Sequence, residues 1–179
     1  EGTQGSGVNV KFNSEVTAIE GVKGDFTITT SRGDTYKAAH VILSIGLQGN
    51  LRQLDASQIP GADNGVTEYQ LDDPKDYWDK DIIVIGAGDA AIENAVALAQ
   101  NDNRVTIVNR KREFARAKSG NISLILSAIK DELLECAYNA APVRVNEDSM
   151  VLKTPEGERV VPCDRAIARL GAIAPRNFI

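Results

Sequence analysis

Residues 81–118 read DIIVIGAGDAAIENAVALAQNDNRVTIVNRKREFARAK, and the order of residue types in this run decides the fold. Residues 82–85 are an unbroken apolar run, as a strand buried on both faces requires. Gly86, Gly88 and Ala91 then form a G-x-G-x-x-A pattern that opens a helix over about 88–100, rich in small residues where it must lie against a sheet. A second apolar strand follows at 105–108. Strand, Gly-rich turn, helix and strand together are the context in which this motif cradles a dinucleotide. Gly86 permits the tight turn, Gly88 lets backbone approach a pyrophosphate, and Ala91 lets helix and strand pack closely. The helix N-terminus offers unpaired N–H groups and the positive end of its dipole to the phosphates, so Ala87, Asp89 and Ala90 join the candidate site. The bland alternative is a Gly turn that only joins strand to helix.

A site of this kind places an acid at the end of the next strand to hold the ribose 2′-hydroxyl. Here the position, 23 residues on from Gly86, is Asn109, and Arg110, Lys111 and Arg112 follow it. Loss of the acid removes repulsion of a 2′-phosphate. Arg110 and Lys111 can pair with that phosphate, one by a forked contact and the other as a point charge. Arg116 and Lys118 begin the next segment within reach of the same group. The pattern selects NADP(H) over NAD(H); a solvated basic turn is the alternative reading.

Outward from this run, the chain reads as α/β. Residues 119–136 carry the 3.6-residue period, with Ile122, Ile125, Ile129 and Leu133 on one face, widened by Leu126 and Leu134. APVRV is a third strand, SMVLKT and ERVVP make a hairpin around PEGE, and RAIARLG closes as a buried strand on Gly171, which completes the candidate site. The fold expected is a Rossmann-like parallel sheet with helices and a β-meander. Residues 8–46 are β-rich: VNVKF, EVTAIEGV, FTITTS and TYKAA alternate or carry β-branched residues, KGD and RGD supply turns, and HVILSIG ends as a buried strand on Gly46. The two closings match in spacing, Gly33 to Gly46 being 13 residues and Gly157 to Gly171 being 14. Residues 8–46 therefore look like the tail of a second, incomplete nucleotide-binding domain. The expected organisation is a β-rich segment over 1–60, a linker over 61–80, a nucleotide-binding domain over 81–171 and a return linker over 172–179.

The runs GAGDAAIE and NRKREFARAK resemble the nicotinamide domain of the thioredoxin-reductase-like flavoproteins. That family reads G-G-G-D-S-A-x-E and then H-R-R-x-x-F-R-A. Gly86, Gly88, Asp89, Ala90 and Glu93 match the first motif, and Arg110, Lys111 and Phe114 match the second, with Asn109 in place of His. VILSIGLQGNLRQL…IPGAD resembles the exit from the family's FAD domain, and CDRAIARLGAIAPRNFI the return into it. The resemblance implies an FAD-dependent oxidoreductase parent that passes hydride from NADPH to flavin and on to an electron acceptor contacted outside these residues. The family's C-x-x-C is absent before residue 82, which favours the ferredoxin–NADP reductase type of relative. The N-terminal FAD fingerprint is absent too, so this chain alone is expected to hold FAD poorly and to lack turnover. A homodimer is compatible with the resemblance.

Composition narrows the alternatives. With 42% hydrophobic residues the chain can build a core, yet no apolar run is long enough to cross a membrane. A net charge of −5 and few aromatics argue against nucleic acid as a partner. Cys136 and Cys163 form no redox pair or zinc cluster and read as buried thiols of a cytoplasmic protein. No residue is assigned a catalytic or metal-binding role. Asp89 and Glu93 sit where acids favour a helix dipole, with Asp89 also able to tune the nicotinamide region. His40 lacks a partner at a telling spacing, and Tyr77 and Trp78 read as anchors of the linker. A stand-alone NADP-dependent dehydrogenase would need its own acid/base, and no Tyr has Lys four residues on. A module that senses NADP(H) for a partner stays open.

Overall fold

A computed structural model describes residues 8–44 and 51–172, which fall in two compact units divided near residue 46. The first unit is an antiparallel meander of β1 (Val16–Val22), β2 (Asp25–Thr30) and β3 (Thr35–Ala38). The turns are those the glycines require: Gly24 and Gly33 adopt φ of 98° and 83°, conformations that side chains with a Cβ rarely enter. Two expectations fail here. Residues 8–12 form no strand, and residues 41–44 are not paired; Ile42 is 91% exposed because no described strand lies beside it to bury it. Gly46 lies outside the described residues.

The second unit is a three-layer sandwich. Its five-stranded sheet, in order β4-β11-β5-β6-β7, is parallel throughout: β4 (Thr67–Glu68), β5 (Asp81–Ile85), β6 (Arg104–Asn109), β7 (Glu135–Tyr138) and β11 (Arg165–Ala168). Alternation along β5 explains the layers. Ile82 and Val84 face α1 (Asp89–Ala99) and α2 (Ser119–Lys130), packing with Ile92, Leu98 and Ile125. Ile83 and Ile85 face the opposite way, onto Met150 and Leu152 of a second antiparallel meander. That meander, β8 (Ala141–Val145), β9 (Ser149–Thr154) and β10 (Gly157–Pro162), repeats the three-stranded pattern of the first unit. The fold class is thus the one expected, α/β with a parallel sheet and antiparallel β-rich sheets.

Three elements differ from expectation. The second helix stops at Lys130 rather than near 136. Glu132 takes φ 56°, its N–H donates to the Ile129 carbonyl oxygen, and Leu133 N–H donates to that of Ala128. This is a Schellman closure made without glycine, so the sequence carries no stop signal. Leu126 and Leu133 are left exposed while Leu134 is buried, and residues 135–138 become the edge strand β7. APVRV pairs antiparallel in the meander rather than joining the parallel sheet. Within the stretch read as a linker, Thr67 and Glu68 pair with Ala166 and Ile167 and form β4.

Candidate functional site

The carboxyl ends of β5, β6 and β11 open into a cleft of about 780 Å³ in the second unit. In open parallel sheets this is where ligands bind. Gly86 begins the turn out of β5 with φ 138°, and a Cβ on it would sit 2.5 Å from the Arg169 carbonyl oxygen. Backbone just past the end of β11 and the turn therefore touch, and glycine is required by the protein itself. Gly88 is different. Its φ of −93° is ordinary, and a Cβ there would meet nothing within 4 Å. No internal contact calls for glycine, yet it caps α1 with no side-chain hydrogen bond and so leaves the first-turn N–H groups facing the cleft. The open space beside Gly88 fits an anionic group seated against those N–H groups.

The basic run is a loop tethered at three points. Asn109, 2% exposed, accepts from Lys111 N–H through its side-chain oxygen at 3.0 Å and donates its amide to the Glu113 carbonyl oxygen at 3.0 Å. Phe114 is buried in the helix-side core, edge-on to Tyr138 with ring centroids 5.9 Å apart. At the far end, Asp89 accepts from Lys118 N–H at 2.9 Å and from the Asn121 amide at 2.8 Å, and Asn121 also donates to Glu93 at 2.8 Å. These donors hold the Asp89 carboxyl below its ordinary pKa, the Lys118 backbone contributing most. Asp89 thereby caps α2, whose own N-cap, Lys118, supplies no side-chain bond. Between the tethers, Arg110, Lys111, Arg112 and Arg116 are exposed and make no ion pair with a described residue.

Eleven of the residues singled out from the sequence line this one cleft; Arg112 and Lys118 do not. Asn109 lines it without offering its side chain, since both ends of the amide are engaged within the loop. Sequence reasoning missed Leu51, Tyr69, Arg169 and Leu170, which reach the cleft from segments far apart in the chain. Arg169 and Leu170 could have been found from their place beside Gly171, at the end of a buried strand. Tyr69 had no signal. Tyr77 does anchor its segment: its O–H donates to Glu68 at 2.7 Å and its carbonyl oxygen accepts from Asn101 and Asn103. Trp78 is exposed. Burial pushes the free thiols of Cys136 and Cys163 up to about 12, which leaves both neutral at physiological pH. Among the described residues there is no group of His, Cys, Asp and Glu arranged to hold a metal, and no helix long and apolar enough to cross a membrane.

Comparison with known proteins agrees with this architecture. Residues 3–179 match the family described as pyridine nucleotide-disulphide oxidoreductase, and the chain belongs to it. A ferredoxin–NADP reductase of Ignicoccus hospitalis is 27% identical over 161 residues, covering 86% of this chain and 50% of that protein. A thioredoxin reductase of Peptoclostridium litorale is 30% identical over 145 residues, covering 80% of this chain and 41% of that one. Among solved structures, the bacillithiol disulfide reductase Bdr (YpdA) from Staphylococcus aureus has the same fold, with TM-score 0.77 at 22% identity over 96% of this chain and 52% of its own. The chain spans about half the length of the curated relatives it matches.

Proposed function

We propose that this member of the pyridine nucleotide-disulphide oxidoreductase family is the NADP(H)-binding part of an FAD-dependent reductase, inactive without the flavin-binding part. The observation that carries the reading is the tethered basic loop, whose cations lack an anionic partner among the described residues and border the cleft at Gly86 and Gly88. In this reading the N–H groups at the start of α1 hold the pyrophosphate, with Gly88 small enough to let it approach. Arg110 and Lys111 pair with the adenosine 2′-phosphate, and Arg116 adds to the same field. Asn109 contributes by shaping the loop rather than by touching the ligand. A bound flavin would supply the hydride-accepting chemistry, and this chain's residues would hold and position the nicotinamide carrier. The meander of residues 16–38 belongs, in this reading, to the flavin-binding part, and the whole protein passes electrons to an acceptor held elsewhere.

Ferredoxin–NADP reductases among the relatives carry NADP in their names, which supports the choice of nucleotide. Neutral, free thiols suit a cytoplasmic protein and argue against thiol chemistry on this chain. The test is Arg110→Ala combined with Lys111→Ala. Affinity for NADPH should fall by about 1–3 kcal/mol per lost charged contact while NADH binding is little changed. Equal loss for both nucleotides would remove the 2′-phosphate from the account.

A further inference from the structure

The cations lining the cleft divide by position. Arg110, Lys111 and Arg116 stand beyond the end of β6, whereas Arg169 stands beyond the end of β11. β5 lies between those two strands, so their ends are separated by roughly 10 Å. Arg169 is held firmly. Its N–H donates to the Ile85 carbonyl oxygen at 2.8 Å, and its own carbonyl oxygen is the atom packed against Gly86. The half-buried side chain donates from Nη1 to the Tyr69 carbonyl oxygen at 3.0 Å. That is its one side-chain hydrogen bond to a described residue, and it makes no ion pair with any of them.

A guanidinium has five donors and keeps its charge at any physiological pH. Holding it half out of water with a single neutral acceptor is unfavourable unless an anion completes its shell. A dinucleotide in a sheet of this kind lies across the switch point, one mononucleotide on each side. If the basic loop takes the adenosine side, Arg169 falls on the nicotinamide side, where Ala168, Leu170 and Ala172 give the wall an apolar lining suited to an uncharged or singly charged ring. The anionic group within reach there is the pyrophosphate. We propose that Arg169 is a second pyrophosphate ligand, pairing with the phosphate attached to the nicotinamide ribose and fixing that half of the molecule against β11. The inference rests on the NADP(H) reading and adds a contact that the Gly-rich turn and basic loop do not supply.

Three probes separate the parts. NADPH contains every group; 2′-phospho-ADP-ribose lacks the nicotinamide; 2′,5′-ADP lacks both the nicotinamide and its phosphate. Each is titrated into the full chain and into Arg169→Met, which keeps an apolar stem, and Arg169→Lys, which keeps the charge. Arg169→Met should weaken NADPH and 2′-phospho-ADP-ribose by at least about tenfold and leave 2′,5′-ADP within about twofold, with Arg169→Lys recovering part of the loss. Loss confined to NADPH would assign Arg169 to the ring and overturn the proposal. So would an equal loss on all three probes in both variants, or no loss at all. Failure of the unaltered chain to bind 2′,5′-ADP would instead strike the NADP(H) reading itself.

Discussion

Gly86 and Gly88 stand two residues apart in one motif, yet the structure predicts opposite consequences for replacing them with alanine. At Gly86 the backbone is at φ 138°, and the new methyl would lie 2.5 Å from the Arg169 carbonyl oxygen and 3.3 Å from the Ala91 Cβ. Strain in that backbone region costs roughly 1–3 kcal/mol. Displacing a strand end whose N–H is already bonded to Ile85 adds about 1–3 kcal/mol more, as overpacking does elsewhere. The total, roughly 2–6 kcal/mol, is a large share of a domain's stability. With an m-value of about 2 kcal/mol/M, the urea midpoint should fall by about 1–3 M. At Gly88, alanine gives up a slightly better N-cap but loses less chain entropy, so stability should change by less than about 0.5 kcal/mol. Its methyl would instead enter the open space of the cleft and weaken NADPH binding by about tenfold or more. Urea unfolding and calorimetric titration of both variants make the comparison. A Gly86→Ala cost below about 1 kcal/mol, or a Gly88→Ala cost equal to it, would refute the division between a glycine kept for the fold and one kept for the ligand.

Other predictions follow from the tethers and the thiols. Asn109→Ala leaves Lys111 N–H and the Glu113 carbonyl without their partner and should cost about 1–3 kcal/mol. It should also narrow the gap between NADPH and NADH affinity although no base is removed; an unchanged gap would show that the loop does not need this tether. The Asp89 carboxyl has a lowered pKa in the folded chain, so its contribution is complete above the ordinary carboxylate range and is lost as pH falls through the lower native value. Asp89→Asn should flatten the acid limb of stability against pH, and an identical acid limb would contradict the capping role. Cys136 and Cys163, pushed up to about 12 by burial, should resist an aromatic disulfide reagent at pH 8 until the chain is unfolded. Rapid labelling of native Cys163 would mean that the core around it opens.

What the sequence made legible were features whose cause is local. The strand at β5, the Gly-rich turn and α1 are each dictated by a few adjacent residues, and the cleft forms where those residues meet. The basic loop was legible for the same reason, since position relative to Gly86 assigns it to the rim. Features decided by distant contacts were not. The end of α2 depends on Glu132 entering a left-handed conformation, which nothing in DELLEC announces. β4 is two residues long and exists because β11 offers it an edge. Asn109 stands where a dinucleotide site of this kind usually has an acid; that its amide bonds Lys111 N–H and the Glu113 carbonyl oxygen is visible only once the loop folds back over it. Tyr69 and Arg169, each just past the end of a strand, reach the cleft from positions 100 residues apart, and the bond between them is a backbone one on the Tyr69 side.

The proposed function requires that the cleft hold NADP(H) and tell it from NAD(H) through the charged loop. Calorimetric titration of the chain with NADPH and then NADH, each at low and at high salt, tests this most directly. NADPH should bind more tightly, with its advantage shrinking as salt screens the exposed bases. Equal affinity for the two nucleotides, or a preference untouched by salt, would contradict it.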